Sequence, residues 1–535
     1  MNISASDKQV TRLEQQQRLS RSLLWRLQRN YFEHYGIEAW RSGAVPHHIT
    51  SSPFIADAYA RMVLGFLRDL SVDHSQPVYI VELGSGSGRF SYLFLKKFLS
   101  LHRNSVLKNM PVKYVMTDFT ESNLEYWRIH PSFLPFMQEG SLDLARFDLE
   151  SDVEIELLNS GEILSNKTLC NPLIVISNYV FDSTPQDAFL VAEENLFESL
   201  VTLETPDEEV DTDDPEILSR IEISVHENSI NGHYYEDPSW NRVLLDCKQR
   251  LTDTAFLFPT AALSCIQNLH RLAGGRMLLL SADRGHSSNA GLQRGNGIPS
   301  FALHGSFSMT VDYQIIGEYC RQLGAHVLHP SRTTGPLNVS AFIFDDSPHE
   351  FLETRQAYAE AIEKFGPEDF FILKEGLAQV YDAFSLDEIL AFVRLSCWDF
   401  KRFVECLPAL RRYLPDINEA QKQQLHETIV KVWDSYLPIG EESDLAFELG
   451  TLLLEIGLFE EALEFLQSSV QLYGMAPGTA YNIAVCYYSL SETERALAFV
   501  DQALSLDHRF AEAKKLRRQL EAALSSTTVK RRRRA

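Results

Sequence analysis

Three glycines at alternate positions, Gly84, Gly86 and Gly88, are the residues of this sequence whose spacing most clearly indicates chemistry. They directly follow a short apolar run, residues 78–83, which carries a single acid, Glu82, and a helical pattern begins after them. A bare backbone at a strand-to-helix turn allows a ligand to lie against the main chain, beside the N-terminus of a helix. The spacing therefore predicts a cofactor site at this turn.

The spacing of the glycines also discriminates between cofactors. A dinucleotide fingerprint, GxGxxG, would need its third glycine at position 89, where the chain has Arg89. A phosphate-binding loop of the Walker type is excluded because no Gly-Lys-Ser/Thr follows. The pattern E-x-G-x-G-x-G, from Glu82 to Gly88, is that of S-adenosylmethionine-dependent methyltransferases, and it favours S-adenosyl-L-methionine as the cofactor.

Acids follow the next two apolar runs at corresponding positions. Asp118 ends the run VKYVMTD, at the place where an acid holds ribose hydroxyls in such folds. Asp148 ends LDLARFD and is placed to accept a hydrogen bond from an adenine amino group, with Phe147 against the ring. The alternatives are a helix cap for Asp118 and an ordinary strand-end turn for Asp148.

The fourth apolar run, LIVIS, leads into polar residues that we expect to face the reacting group, because ligands bind beyond the carboxyl ends of parallel strands. The amide oxygen of Asn178 can accept a hydrogen bond from the N–H of a nucleophile. The carboxylate of Asp182 can hold a cationic substrate or act as a base. A helix cap and a tight turn are the structural alternative for this stretch. We therefore predict Asn178 and Asp182 as catalytic residues.

The elements that must position these residues form an alternating pattern between about residues 77 and 344. Several of the apolar runs are hydrophobic nearly throughout, as in strands buried on both faces of a parallel sheet. The predicted strands are VYIVEL, VKYVMTD, LDLARFD, LIVISN, MLLLSA and SAFIFDD. Strands that alternate with helices predict a doubly wound, Rossmann-like α/β domain. The acidic segment 204–216 is predicted to be an exposed loop.

Helical spacing replaces this pattern from about residue 348 onward, and an internal repeat appears. Gly450 and Ala462 recur 34 residues later as Ala484 and Ala496, which is the tetratricopeptide period. Small residues at these positions allow paired helices to approach closely. We predict an all-α tetratricopeptide-repeat domain that binds a protein partner.

Composition limits the classes of function. The 535-residue chain has a formal net charge of −24, which argues against broad nucleic-acid binding, since phosphate contacts need clustered Lys and Arg. No apolar run has the roughly 18 residues of a membrane span, and the seven cysteines form no CxxC pair. We expect a cytoplasmic protein with no metal, no nucleic acid and no membrane among its partners.

Four blocks, in order, resemble the MidA-like family of S-adenosylmethionine-dependent methyltransferases, which includes a mitochondrial protein arginine methyltransferase concerned with assembly of respiratory complex I. The blocks are residues 31–63, residues 81–90 (VELGSGSGRF), residues 178–189 (NYVFDSTPQDAF) and residues 304–313 (HGSFSMTVDY). The similarity covers roughly residues 31–344. It implies a Rossmann-like methyltransferase fold with S-adenosylmethionine as cofactor.

The resemblance also implies residues for the substrate. Thr50 lies in the Thr-Ser-Pro part of the first block, Asp187 in the third block and His304 in the fourth, and we assign them to substrate binding. Tyr179 stands where the family has a glutamate. This departure motivates an alternative function, a non-catalytic interaction scaffold with a vestigial methyltransferase fold.

The predicted organisation has four parts. Residues 1–347 form the methyltransferase domain with an N-terminal helical segment, and residues 348–440 form a helical connector that includes possible degenerate repeats. Residues 441–525 form the repeat domain, and residues 526–535 form a basic disordered tail. The predicted function is methylation of a protein side chain, possibly arginine, with the repeats recruiting substrate or partner. A methyltransferase that acts on a small molecule is a second alternative.

Overall fold

The structure, a computed structural model, describes residues 10–45, 51–70, 72–231, 233–289, 292, 302–332 and 337–532. The chain divides into two compact units, Met1–Lys374 and Glu375–Ala535. The domain boundaries that the sequence suggests, at residues 347, 440 and 525, stay predictions.

All strands of the described residues lie in the first unit. They are β1 (Thr11–Gln17), β2 (Val78–Leu83), β3 (Val112–Asp118), β4 (Leu142–Arg146), β5 (Ile155–Glu156), β6 (Ile163–Leu164), β7 (Leu173–Asn178), β8 (Asp187–Ala192), β9 (Asn195–Thr205), β10 (Glu222–Ser229), β11 (Thr254–Phe258), β12 (Met277–His286), β13 (Ala302–His304), β14 (Ser306–Ser308), β15 (Val311–Asp312), β16 (His326–Leu328) and β17 (Leu337–Phe344).

The helices of the first unit alternate with these strands. They are α1 (Leu23–Tyr35), α2 (Glu38–Arg41), α3 (Pro53–Asp69), α4 (Arg89–Arg103), α5 (Glu121–Ile129), α6 (Leu134–Gln138), α7 (Pro238–Arg250), α8 (Thr260–Leu272), α9 (Tyr313–Gln322) and α10 (Leu352–Tyr358). A π-helical turn, Ala359–Lys364, follows α10, and α11 (Pro367–Ala378) crosses the division between the units.

The central sheet has eight strands, in the order β16-β17-β12-β7-β2-β3-β4, with β15 paired to β12. The strands from β12 to β4 run parallel, and β17 is antiparallel to both of its neighbours. The chain winds outward from β2 to β4, then returns to β7 beside β2 and winds the other way. All six predicted strands lie in this sheet, so the predicted doubly wound α/β fold is confirmed.

Both faces of the sheet are covered, which explains why the strands are apolar throughout. Every residue of β2 is buried. On one face the ring of Tyr114 packs 5.2 Å from that of Phe94 in α4. On the other face Val115 shares a buried cluster with Leu263 of α8 and Ile316 of α9.

A second, antiparallel sheet of five strands, with the path β1-β9-β8-β11 and β10 beside β9, was not predicted. Its β8–β9 hairpin turns through Glu193 and Glu194, which have φ angles of +50° and +63°. Two-residue turns of this type favour Asn-Gly, because both residues need positive φ. A Glu-Glu pair gives no such signal, so the hairpin is hidden in the sequence. The acidic loop predicted at 204–216 begins where β9 ends.

The N-terminal helix α1 packs on this second sheet. Leu24 and Leu27 of α1 belong to one buried cluster with Ala188 of β8, Val201 of β9 and Leu257 of β11. Helix α1 is therefore held against three strands of this sheet.

The second unit consists of helices in the described residues: α12 (Leu386–Leu395), α13 (Phe400–Arg411), α14 (Glu419–Asp434), α15 (Leu445–Glu455), α16 (Phe459–Tyr473), α17 (Pro477–Ser489), α18 (Thr493–Leu506) and α19 (Ala511–Arg532). The helical C-terminal region that the sequence predicts is thus confirmed, whereas its assignment to the tetratricopeptide class stays a prediction. Helix α19 continues to Arg532, into the segment predicted to be disordered. Lys and Arg are good helix formers that also favour a helix C-terminus, which accounts for the continuation.

Close packing of α15 against α16 yields a stability prediction. A Cβ on Gly450 would lie 2.9 Å from the Cγ of buried Leu466 and 3.2 Å from the carbonyl oxygen of Ala462. Overpacking of this kind costs about 1–3 kcal/mol, against a helix-propensity gain of about 1 kcal/mol. We expect Gly450→Ala to lower the free energy of unfolding of the second unit in urea titrations. The matched control is Gly478→Ala, whose Cβ would meet nothing closer than 3.6 Å; equal effects of the two changes would contradict the prediction.

Candidate cofactor and acceptor site

A cavity of about 420 Å³ lies at the carboxyl ends of β2, β3, β4 and β7. This is the switch point of the sheet, where the strand order reverses and where open α/β sheets bind ligands. The lining includes the glycine turn (Glu82, Gly84, Ser85, Gly86, Ser87), strand-end residues (Asp118, Phe119, Phe147, Asp148, Leu149, Glu150), the segment after β7 (Asn178, Tyr179, Val180, Asp182, Ser183, Thr184, Pro185), an N-terminal wall (Trp25, Gln28, Arg29, Phe32, Trp40, Val45), and Ser51, Phe90, Arg284, Ser306 and Ser308.

The glycine turn has the backbone that its sequence predicts. The φ angles of Gly84, Gly86 and Gly88 are +58°, +52° and +73°, a region that side chains disfavour. The N–H of Gly86 donates to Oδ2 of Asp118 at 3.2 Å. A Cβ on Gly86 would lie 2.8 Å from the ring of Trp40. The turn is therefore held from the β3 side and closely covered by the N-terminal segment.

Glu82 supports the turn from beneath. Its buried carboxylate accepts hydrogen bonds from the hydroxyl of Tyr114 in β3, at 2.8 Å, and from that of Ser91 in α4. Burial raises the pKa of Glu82 to about 7, although both hydroxyls lower it. The side chain thus ties two strands and a helix together at the cavity floor.

Asp118 is engaged by the protein on all sides. Its Oδ1 accepts from the backbone and the hydroxyl of Thr120, at 3.0 and 2.9 Å, and its Oδ2 accepts from the amide of Asn123 at 3.0 Å and from Gly86. A carboxylate has about four acceptor positions, so a ribose hydroxyl would have to replace one of these donors. Thr120 is the N-cap residue of α5, so Asp118 holds the start of this helix through Thr120 and the side chain of Asn123 and does not cap it itself.

Asp148 is paired with Arg29, a contact that the sequence did not indicate. The guanidinium of Arg29 donates to Oδ2 and Oδ1 of Asp148 at 2.7 and 3.3 Å and lies 4.3 Å from the ring centroid of Phe119. Phe147 is buried beside it, and its N–H donates to the carbonyl oxygen of Asp118. An arginine from α1 thus lies where the sequence predicts adenine contacts.

The side chain of Asn178 presents its amide nitrogen, a hydrogen-bond donor, to the cavity, whereas the sequence predicts that its amide oxygen would act there as an acceptor. Its Oδ1 accepts from the hydroxyl of Tyr59 at 2.9 Å, while its buried Nδ2 has no partner among the described residues. The next residue, Tyr179, has a φ of +52°, and its N–H donates to the carbonyl oxygen of Ala282. Strained backbone of this kind is concentrated at functional sites.

Asp182 lies in the short 3-10 turn that follows, Phe181–Ser183. Its Oδ1 accepts from the hydroxyl of Ser183 at 2.8 Å, and its buried Oδ2 has no partner among the described residues. Burial raises the pKa of Asp182 to about 6, and the nearby cation of Arg284 opposes this rise.

A further carboxyl group, that of Asp283 in β12, was missed. It is fully buried, and its Oδ2 accepts from the N–H of Phe181 at 3.3 Å and the hydroxyl of Tyr313 at 3.4 Å. The same signal that singled out Asp118 and Asp148, an acid late in an apolar strand, is present in LLLSADRGH.

Of the three residues assigned to substrate binding, the structure describes the side chain of Asp187 alone. Asp187 does not line it; its buried carboxylate accepts from the N–H of Ser20 and the hydroxyl of Tyr235, and so joins the N-terminal segment to the second sheet. Thr50 lies outside the described residues, and His304 ends β13 with its side chain outside them.

Two kinds of feature are absent from the described part of the chain. No group of three or more His, Cys, Asp or Glu side chains there is arranged to hold a metal ion. Nor is any helix there long and apolar enough to cross a membrane.

The fold is that of a doubly wound α/β protein with a cavity at its switch point. No protein-family model matches the chain. Intraflagellar transport protein 70A of Danio rerio is 42% identical over 64 residues, which are 12% of this chain and 10% of that protein. The chain thus spans about a tenth of the length of this curated relative.

Solved structures with similarity come from Burkholderia thailandensis. An uncharacterized ACR superfamily protein has a TM-score of 0.39 at 13% identity, covering 62% of this chain and 89% of its own. A superfamily member bound to S-adenosyl-homocysteine has a TM-score of 0.36 at 13% identity, covering 56% and 79%. An O-methyltransferase family protein has a TM-score of 0.24 at 10% identity, covering 54% and 58%. Because these TM-scores are low, the fold is assigned from the strand order of this chain and not from the similarities.

Proposed function

We propose that this chain is an S-adenosylmethionine-dependent methyltransferase, similar to the MidA-like family, that acts on a protein side chain. One observation carries the proposal: a nucleoside-sized cavity lies over the glycine turn, and two buried polar atoms in its lining, Nδ2 of Asn178 and Oδ2 of Asp182, have no described partner. Buried polar atoms are normally hydrogen-bonded, so such exceptions at a cavity indicate a ligand.

The residues present fit the cofactor. Gly84 and Gly86 open the backbone to it, and Phe147 and Phe119 offer ring faces. Asp118 and Asp148 lie at the strand ends, where the cofactor would replace one of the protein donors that each now accepts from. When bound, the cofactor supplies an activated methyl group. The chain must then align the acceptor with that methyl, and such positioning is worth several kcal/mol of the barrier. In this proposal the amide of Asn178 orients the methyl acceptor by donating a hydrogen bond to it, and Asp182 takes up the proton that the methyl acceptor loses.

Calorimetric titration of the full chain with S-adenosylmethionine and with S-adenosylhomocysteine tests the proposal. We expect saturable binding of both, because they share the nucleoside and amino-acid parts that the turn and strand ends contact. Asn178→Ala should leave the affinity for S-adenosylhomocysteine within about threefold, since this residue faces the acceptor. The proposal would be contradicted if neither compound binds.

The protein nature of the acceptor is supported by the 34-residue period and the paired helices of the second unit, which we propose recruit the substrate as tetratricopeptide repeats. Incubation of the chain with labelled S-adenosylmethionine and a cell extract, followed by separation by size, checks this. Label in the protein fraction supports a protein acceptor. Label confined to small molecules would instead favour a small-molecule methyltransferase.

The scaffold alternative is favoured by one specific observation: the carboxylates of Asp118 and Asp148 are both occupied by protein groups. In a scaffold these contacts would be permanent. The same calorimetric titration tests this alternative, because a chain that binds neither compound cannot transfer a methyl group from the cofactor and would be a scaffold.

A further inference from the structure

The carboxyl groups of Asp182 and Asp283 lie on neighbouring parallel strands or just beyond them. Asp182 follows β7, Asp283 lies in β12, and these strands pair from Leu173 to Asn178. The hydrogen bond from the N–H of Phe181 to Oδ2 of Asp283 ties the turn that carries Asp182 to β12, and the charge of Asp182 acts on Asp283. We call these two residues the aspartate pair.

Each member of the aspartate pair keeps one oxygen without a partner. Asp182 is 1% exposed and Asp283 is 0% exposed. Oδ2 of Asp182 and Oδ1 of Asp283 have no hydrogen-bond partner among the described residues. Asp182 lines the cavity, whereas Asp283 lies behind it. A buried carboxylate oxygen without a donor is costly, so an arrangement with two of them calls for a proton or a ligand.

Among the described residues, few charged groups act on the aspartate pair. Arg284 is the nearby cation, and its Nη2 donates to the hydroxyl of Ser308 at 2.6 Å. The other titratable groups that face the pair are the phenols of Tyr59 in α3, Tyr179 after β7 and Tyr313 in α9. Burial raises the pKa of all three phenols, so they remain neutral near neutral pH.

Two buried carboxyl groups side by side cannot both ionise easily. Burial raises the pKa of both, and the charge of Asp182 raises that of Asp283 further. Because Asp182 lines the cavity and lies near the cation of Arg284, whereas Asp283 lies behind it, we assign the first ionisation to Asp182 and the retained proton to Asp283.

We propose that the aspartate pair holds one proton and receives a second from the methyl acceptor, which is a neutral O–H or N–H group. This inference rests on the proposed function. The acceptor atom bonds to the methyl carbon, and the methyl–sulfur bond breaks with its electron pair left on sulfur. The proton of the acceptor passes to Oδ2 of Asp182. Asp283 is a positioning residue, which acts by holding the turn and by setting the proton affinity of Asp182.

Proton release on cofactor binding tests the proposal without knowledge of the acceptor. S-Adenosylmethionine carries a sulfonium charge that S-adenosylhomocysteine lacks, and a nearby cation favours ionisation of the pair. Titrations in two buffers of different ionisation enthalpy, near pH 6, report the protons released. We expect S-adenosylmethionine to release a larger fraction of a proton than S-adenosylhomocysteine does.

The variants Asp182→Asn and Asp283→Asn should each abolish this difference while both compounds still bind, which also shows that the variants are folded. The matched control is Glu227→Gln, a carboxyl group in β10 whose pKa burial also raises but which lies outside the cavity; it should leave the difference unchanged. Equal proton release by the two compounds, or a difference that persists in Asp182→Asn, would overturn the inference. Failure of both compounds to bind the unmodified chain would instead overturn the proposed function.

Discussion

Replacement of Gly86 by alanine is expected to weaken binding of S-adenosylhomocysteine by about tenfold or more. Two physical effects act together: the residue has a φ of +52°, and its new Cβ would lie 2.8 Å from the ring of Trp40. Since Trp40 lines the cavity, relief of that contact must move either the turn or the ring at the place where the cofactor binds. Calorimetric titration of the variant measures the loss.

The matched control for this prediction is Gly140→Ala. Gly140 has a φ of +77°, but a Cβ there would meet nothing within 4 Å. Both changes therefore share the backbone penalty of about 1–2 kcal/mol, and only Gly86→Ala disturbs the cavity. If both variants bind the ligand as the unmodified chain does, the glycine turn is not the cofactor site.

Glu82→Gln is expected to change how the stability of the first unit depends on pH. A carboxyl group whose folded-state pKa is raised binds more protons in the folded than in the unfolded state. Its contribution to stability therefore falls as the pH rises from its ordinary pKa of 4.5 through its folded-state value of about 7. At about 1.4 kcal/mol per pKa unit, this loss amounts to about 3 kcal/mol. The glutamine variant lacks this loss. The free energy of unfolding of the variant, relative to that of the unmodified chain, should therefore rise across that pH interval. Denaturant unfolding at about pH 5 and about pH 8 measures it.

Glu162→Gln is the control, because the contribution of Glu162 to stability depends on pH in the opposite direction. Lys113 and Tyr79 donate hydrogen bonds to Glu162, which lower its pKa, so its contribution is present above the ordinary pKa and lost on acidification. Its side chain is 49% exposed, and the effect should be small. Parallel pH profiles for the unmodified chain and Glu82→Gln would show that Glu82 is not the group that titrates.

Local sequence patterns accounted for the central sheet. Continuous apolar runs mark strands that are buried on both faces. The runs that form the parallel strands end in residues that this arrangement must bring to one edge. For this reason Gly86, Asp118, Asp148 and Asn178, chosen from four separate runs, all line a single cavity. Asp187, which was assigned to substrate binding from the family resemblance, instead begins β8 of the second sheet and does not line the cavity.

Contacts between distant segments were decided only by the tertiary structure. Arg29 and Asp148 are 119 positions apart, as are Tyr59 and Asn178. No spacing within a local window encodes such a pair, because its formation depends on the packing of α1 and α3 around the sheet. Those contacts reverse the expected polarity of Asn178 and occupy Asp148.

The sequence by itself thus determined the class of fold, the glycine turn and the edge of the sheet at which a ligand would lie. These depend on backbone freedom and on burial, which are read residue by residue. Only the tertiary structure determined the second sheet, the cover that α1 forms over the cavity, and the position of Asp283 behind Asp182. They depend on which surfaces meet, and hydrophobic burial drives surfaces together without specifying the partner in any local pattern.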